Sequence, residues 1–336
     1  MFGMESQIDV IWKHDEKLPQ IVEDRFAAAK LTGSLDLTFG KAENVPVNGR
    51  LVISALSSLL RVRSIRFGKF LNQFNEEELR KIADRVAHIS SLCNLSISPE
   101  CFTSRIEIFA QVIRSLPALS SLDLNGSMVD LLLQAILGKR LVSLKLRNTP
   151  AIRNNCKIQE LLQATHSLEE LDLSNDFLVY WAVNDWSRLL CGQRIRRLNL
   201  SYNKLCNAHR SLARPYGELV AYLTERDYRA MADMLVRSGV EQLDMSGNFI
   251  NWMTIDLPGS RIFSNALALM NNLKVLILDV QDCKQPVLKL VMRGLLENSR
   301  YPVLRIKNGA TSATLVPDEF CDAIFDSRKE IRLWFG

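Results

Sequence analysis

One short apolar pattern returns along most of this chain: LSSLDLNG from 119, LVSLKLRN from 141, LEELDLSN from 168, IRRLNLSYNKL from 195, VEQLDMSGNFI from 240 and LKVLILD from 273. All are variants of LxxLxLxxNxL. Weaker copies stand at 33 (GSLDLTFG), 62 (VRSIRFGKFL), 92 (LCNLSISPECF) and 302 (PVLRIKNG), with IRLWF from 331 as a candidate closing strand. The central apolar residue of each copy gives a ruler: Leu35, Ile65, Leu95, Leu122, Leu144, Leu171, Leu198, Leu243, Leu276 and Leu304, at intervals of 30, 30, 27, 22, 27, 27, 45, 33 and 28. Such self-similarity constrains the fold more than composition does, because a unit that cannot cover its own apolar face has to stack on its neighbours. Along a strand the residue between the two leucines of LxL points the other way, so the leucines go inside and the middle residue stands on an open face.

The spacers read as helices. Asn75 with Glu78 forms a capping-box-like start, and Leu79, Ile82, Val86 and Ile89 follow as one apolar stripe. Ser104 with Glu107 opens another, carrying Phe109, Val112, Ile113 and Leu116; later stripes are Phe263, Ala266, Leu267 and Met270, then Leu288, Val291, Met292 and Leu295 behind Pro286. Residues 1–30 are expected to cap the first strand, with Val22, Phe26 and Ala29 as the inner face, and residues 311–336 to cap the other end.

On these motifs the chain, from about residue 30 to 310, resembles the leucine-rich-repeat family. Intervals mostly of 27 to 30 are similar to its ribonuclease-inhibitor-like class, whose repeats each hold a strand and a true helix. The resemblance implies an α/β solenoid, a horseshoe with a parallel β-sheet on the concave face and helices on the convex face. It also implies an Asn after the LxL pair that satisfies backbone groups where the chain leaves the strand. Asn203 and Asn248 match that slot, whereas Glu100, Ser127, Thr149, Asp176 and Gln281 depart from it.

Composition removes several classes of function. A net charge of +5 with no block of like charges favours neither nucleic acid nor a membrane surface as partner, and no apolar run is long enough to span a bilayer. The amino terminus lacks a secretory apolar stretch, and the seven cysteines show no CxxC, so a cytoplasmic, reducing location without structural zinc or disulfides is expected. The four histidines lie in separate repeats, and HExxH, GxSxG and GxxxxGK[ST] are absent. No enzyme, metal or cofactor is therefore expected. His88 and His166 near helix ends read as caps.

Three groups of residues are candidates for contact with a protein partner. The open face carries Asp123, Lys145, Glu170, Asp172, Arg197, Asn199 and Asp244, a strip that reads equally as a solvated face with cross-strand ion pairs. The turns of repeats six to eight carry Tyr180, Trp181, Trp186, Tyr202 and Trp252, residue types that anchor interfaces. The 45-residue interval holds an insertion near 206–229, displaying Arg210, Arg214 and Tyr216, whose plain alternative is an extra surface helix over Leu219, Val220 and Leu223. The expected function is a noncatalytic protein-interaction scaffold. What the resemblance further implies is a set of alternatives: a bacterial effector imitating host repeats, a GTPase-activating protein, or a ubiquitin-ligase substrate receptor whose helical module would need more than the 30 residues before the repeats.

Overall fold

The computed structural model describes residues 18–37, 47–59, 61–97, 106–125, 134–147, 155–175, 178, 190, 193–203, 205, 225–248, 258–279, 285–307 and 333–335. The chain divides into two compact units, residues 1–141 and 142–336.

The first unit alternates helix and strand: α1 (Gln20–Thr32), β1 (Ser34–Leu37), α2 (Gly49–Ser57), β2 (Ser64–Phe67), α3 (Glu76–Ala87), β3 (Asn94–Ile97), α4 (Ile106–Ser115) and β4 (Ser121–Asn125). Its strands pair in parallel and in sequence order, with Leu35, Ile65, Leu95 and Leu122 in one register row. Local chemistry sets the helix ends. Asn75 accepts the Glu78 amide and the Glu78 carboxylate accepts the Asn75 amide, so two N–H groups that a helix start leaves orphaned are satisfied. At the end of α1, Gly33 takes φ 71° and returns its N–H to the Ala29 carbonyl, a left-handed cap that costs glycine nothing. The stripes Leu79, Ile82, Val86, Ile89 and Phe109, Val112, Ile113, Leu116 are buried, as are Val22, Phe26 and Ala29 on α1.

The second unit contains β5 (Ser143–Arg147), α5 (Asn155–Ala164), β6 (Glu170–Asp172), β7 (Arg197–Asn199), α6 (Glu225–Arg237), β8 (Gln242–Asp244), α7 (Pro258–Leu269), β9 (Val275–Asp279), α8 (Gln285–Glu297), β10 (Val303–Lys307) and β11 (Leu333–Phe335). Again the strands are parallel and sequential, aligning Leu144, Leu171, Leu198, Leu243, Leu276 and Leu304, with Leu333 of the closing strand beside Leu304. Helices α7 and α8 approach closely at Gly294, where a Cβ would lie 2.3 Å from the Ser264 carbonyl oxygen. Every ruler residue in both units is buried. These are stacked strand–helix repeats, an α/β leucine-rich-repeat solenoid.

Two asparagines lock the turns after β6 and β7. The Asn203 amide donates to the carbonyls of Leu173 (2.7 Å) and Leu200 (2.9 Å), and its Oδ1 accepts Leu178 N at 3.3 Å. Asn248 repeats the scheme one repeat on, donating to Leu200 O and Met245 O and accepting Asn203 N and Leu205 N. Buried backbone groups need partners, and here side chains supply them. The five departures from this slot, Glu100, Ser127, Thr149, Asp176 and Gln281, lie outside the described residues.

Candidate interaction surface

In each unit the face opposite the leucines is mainly polar, and the two faces differ in character. The first unit carries mainly short side chains: Ser34, Ser64, Ser96 and Ser121, one ion pair between Arg66 and Asp36 at 3.4 Å, and Asp123, whose Oδ2 accepts the Ser96 hydroxyl at 3.3 Å.

The second unit's face is built from longer, charged residues. Register places Ser143, Glu170, Arg197, Gln242, Val275 and Val303 in one row, and Lys145, Asp172, Asn199, Asp244, Ile277 and Arg305 in the next. Glu170 joins three strands: its Oε1 lies 3.1 Å from Lys145 Nζ and its Oε2 3.5 Å from Arg197 Nη2. Burial pushes the Glu170 carboxyl up. Against it act the Ser143 hydroxyl, within electrostatic reach though outside hydrogen-bond geometry, and Lys145 and Arg197, which together hold the group below the ordinary carboxylate range. Glu170 is thus an ionised hub and a poor proton donor at neutral pH.

Asp172, Asn199 and Asp244 do a different job. In each, Oδ1 accepts the backbone N–H two residues on, from Ser174 (2.9 Å), Ser201 (2.9 Å) and Ser246 (3.0 Å), and Asp244 Oδ1 also accepts the Ser246 hydroxyl at 2.7 Å. These Asx turns end the strands. The next residue takes the left-handed conformation in all three repeats: Asn175 (φ 60°), Tyr202 (φ 57°) and Gly247 (φ 71°). Asn and Gly adopt it readily. A tyrosine pays about 1–2 kcal/mol for it. The Tyr202 ring lies against Gly247, where a Cβ would meet it at 2.2 Å, and its hydroxyl donates to Asp279 Oδ2 at 2.8 Å. Tyr202 nevertheless remains 42% exposed.

Two residues of this face escape a sequence reading: Asp279, which receives Tyr202, and its register neighbour Lys307, whose ammonium donates to Asp244 Oδ2 from two strands away. Both stand at the last position of five-residue strands, one step beyond LxL. The structure therefore groups Lys145, Glu170 and Arg197, and separately Tyr202, Asp244, Asp279 and Lys307. Asp123 lies in the first unit. Tyr180, Trp181, Trp186, Trp252, Arg210, Arg214 and Tyr216 lie outside the described residues, as do residues 206–224 of the insertion; its end, from Glu225, is the start of α6.

Among the described residues no three His, Cys, Asp or Glu side chains converge as metal ligands, and no helix is long and apolar enough to cross a membrane. His88 ends α3, its ring Nδ1 2.6 Å from the Asp84 carbonyl oxygen. Among the described residues, what this face presents is a set of fixed charges and the Tyr202 ring.

Fold and surface together define the class: a leucine-rich-repeat fold with a largely polar open face. The comparisons agree on the fold. The chain is similar to the leucine-rich-repeat-containing protein LegL7 from Legionella pneumophila, with a TM-score of 0.59 and 18% identity over 94% of this chain and 96% of that one. TLR13, in its complex with ssRNA13, also matches, at a TM-score of 0.38 and 16% identity over 84% of this chain and 31% of that one, a likeness too loose to argue from. No protein-family model and no curated protein sequence matches the chain.

Proposed function

We propose that the chain is a noncatalytic protein-interaction scaffold that binds a protein partner through the open face of its second unit and the turns of repeats six to eight. The observation that carries this reading is Tyr202. A residue held in a strained conformation persists only where its surroundings over-determine it, and such residues concentrate at functional sites. Here Gly247 and Asp279 fix a tyrosine, an interface-anchor type, in the turn that follows Arg197 and its strand. Tyr180, Trp181, Trp186 and Trp252, with Arg210, Arg214 and Tyr216 of the insertion, extend this surface in the proposal. The 12-residue α3, a true helix within a 30-residue interval, supports the ribonuclease-inhibitor-like class. The free thiol of Cys93 supports a reducing, cytoplasmic setting.

The test is affinity capture with the whole chain, with Arg197→Ala plus Tyr202→Ser, with Trp181→Ala plus Trp252→Ala, and with Arg80→Ala on an exposed helix as control. Partners are expected to stay with the whole chain and with Arg80→Ala and to drop away with the two double variants. Identical partners at identical strength from all four folded proteins would overturn the reading.

A bacterial effector acting inside a host cell is the second reading, supported by the nearly end-to-end fold match to a Legionella protein. Fusion to a translocation reporter tests it: no reporter signal in infected cells would remove it.

A further inference from the structure

We infer that the open face of the second unit recognises an acidic segment of its partner, whose carboxylates lie against Arg197, Arg305 and Lys307 beside Tyr202. This rests on the interaction reading above and names the chemistry of the partner.

By residue type the face alternates acids with bases, and a charge count alone would call it neutral. The two signs sit at different depths. Asp172, Asp244 and Asp279 are 8%, 5% and 3% exposed. Their oxygens are engaged within the fold: Asp172 and Asp244 by turn amides, Asp244 also by the Ser246 hydroxyl and Lys307, and Asp279 by the Tyr202 hydroxyl. The Arg197 and Lys307 side chains, by contrast, are 50% and 41% exposed, and Arg305 is exposed as well. A guanidinium has more N–H donors than the one loose contact from Arg197 to Glu170 employs. An approaching chain therefore meets cationic donors first, while the acids beneath have committed their oxygens to turns, hydroxyls and ion pairs. Complementarity then favours an anionic partner.

Spacing selects among anions. Arg197 and Arg305 stand on β7 and β10, three strand spacings apart and two residues offset along the strands, or about 16 Å. Between them lie uncharged side chains, Gln242 and the partly exposed Val275, above the buried Ile277. A nucleic acid presents closely and evenly spaced phosphates, which this interrupted array does not follow. Carboxylates four residues apart on one face of an extended peptide are separated by about 13 Å, a difference that the long arginine side chains span, with apolar side chains between them free to rest on the valines.

Fluorescence anisotropy with the full chain decides the matter, using three labelled probes of equal length: a peptide alternating Glu and Ala, its Lys counterpart, and an oligothymidylate. The Glu peptide is expected to bind best, to weaken with added salt, and to lose about tenfold in affinity with Arg197→Gln plus Arg305→Gln, a variant whose thermal melting is to show that it remains folded. Glu170→Gln should not weaken it. Equal binding of the Glu and Lys peptides, or indifference to the double substitution, would overturn the inference. Tighter oligothymidylate binding would overturn it in favour of a nucleic acid. If no probe binds while affinity capture still returns partners sensitive to Tyr202, the acidic assignment fails and the scaffold reading stands; if capture fails too, both fall.

Discussion

Replacing Asn248 by Ala isolates what one buried amide contributes to a repeat turn. Its Nδ2 donates to Leu200 O at 2.8 Å and Met245 O at 2.9 Å, and its Oδ1 accepts Asn203 N at 3.0 Å and Leu205 N at 3.3 Å. The carbonyls have other donors, since Leu200 O also takes Asn203 Nδ2 at 2.9 Å and Met245 O takes the backbone N–H of residue 248 at 3.3 Å. The cost therefore falls on the two amides that lose this acceptor in a buried site. A stranded donor costs about 1–3 kcal/mol, and the longer of the two bonds contributes less, so the expected destabilisation is about 2–4 kcal/mol. In hydrogen exchange that is about 30- to 700-fold less protection at Asn203 and Leu205. Urea unfolding should show a lower midpoint at unchanged slope. Glu77→Ala, which removes an exposed pair with Lys81, serves as control and should stay within about 0.5 kcal/mol of the parent. An Asn248→Ala protein as stable as that control, or unaltered exchange at the two amides, would refute the reasoning.

Gly247→Ala should cost at least about 2 kcal/mol, because it combines a positive φ with a Cβ 2.2 Å from the Tyr202 ring; adding Tyr202→Gly should return the steric part, as read by thermal melting. Tyr202→Phe alone should lose about 1–2 kcal/mol through the bond to Asp279. Lys307→Met exposes Asp244 to burial without its cation and should destabilise by about 3 kcal/mol, most of which Asp244→Asn should restore in a double-mutant cycle, since the amide oxygen still accepts Ser246 N. The Glu170 carboxyl is held below its unfolded value, so the stability it contributes is present above the ordinary carboxylate range, about pH 4.3, and is lost as pH falls through the lower folded value. Urea midpoints measured from pH 7 to pH 3 should therefore decline less steeply for Glu170→Gln than for the parent.

The repeats were legible because burial is periodic. Each ruler leucine or isoleucine lies at the same register position, and the capping box at Asn75 follows from two residue identities three apart. Asn203 and Asn248 were legible by slot. The open face was harder, because a polar residue between two leucines can face solvent or turn back on its own backbone. Asp172, Asn199 and Asp244 turn back, and the sign was present in the sequence as Asp or Asn with Ser two residues on, in LDLS, LNLS and LDMS. Nothing local marked Lys307 as the partner of Asp244, since that contact spans 63 positions and depends on the register of three strands. The left-handed Tyr202 was likewise hidden: the slot shows its conformation only when Asn175 and Gly247 are aligned with it.

The asparagine bonds also have a polarity. Asn203 completes the turn of the repeat before it, at Leu173 and Leu178, and Asn248 in turn completes the one at Leu200, Asn203 and Leu205. The side-chain partners of one repeat's turn are thus supplied by the repeat that follows it. A chain cut after Asn203 would keep the partners of Leu173 and Leu178 and lose those that Asn248 gives to Leu200 and Asn203, so truncation from the carboxy terminus opens one turn per repeat removed.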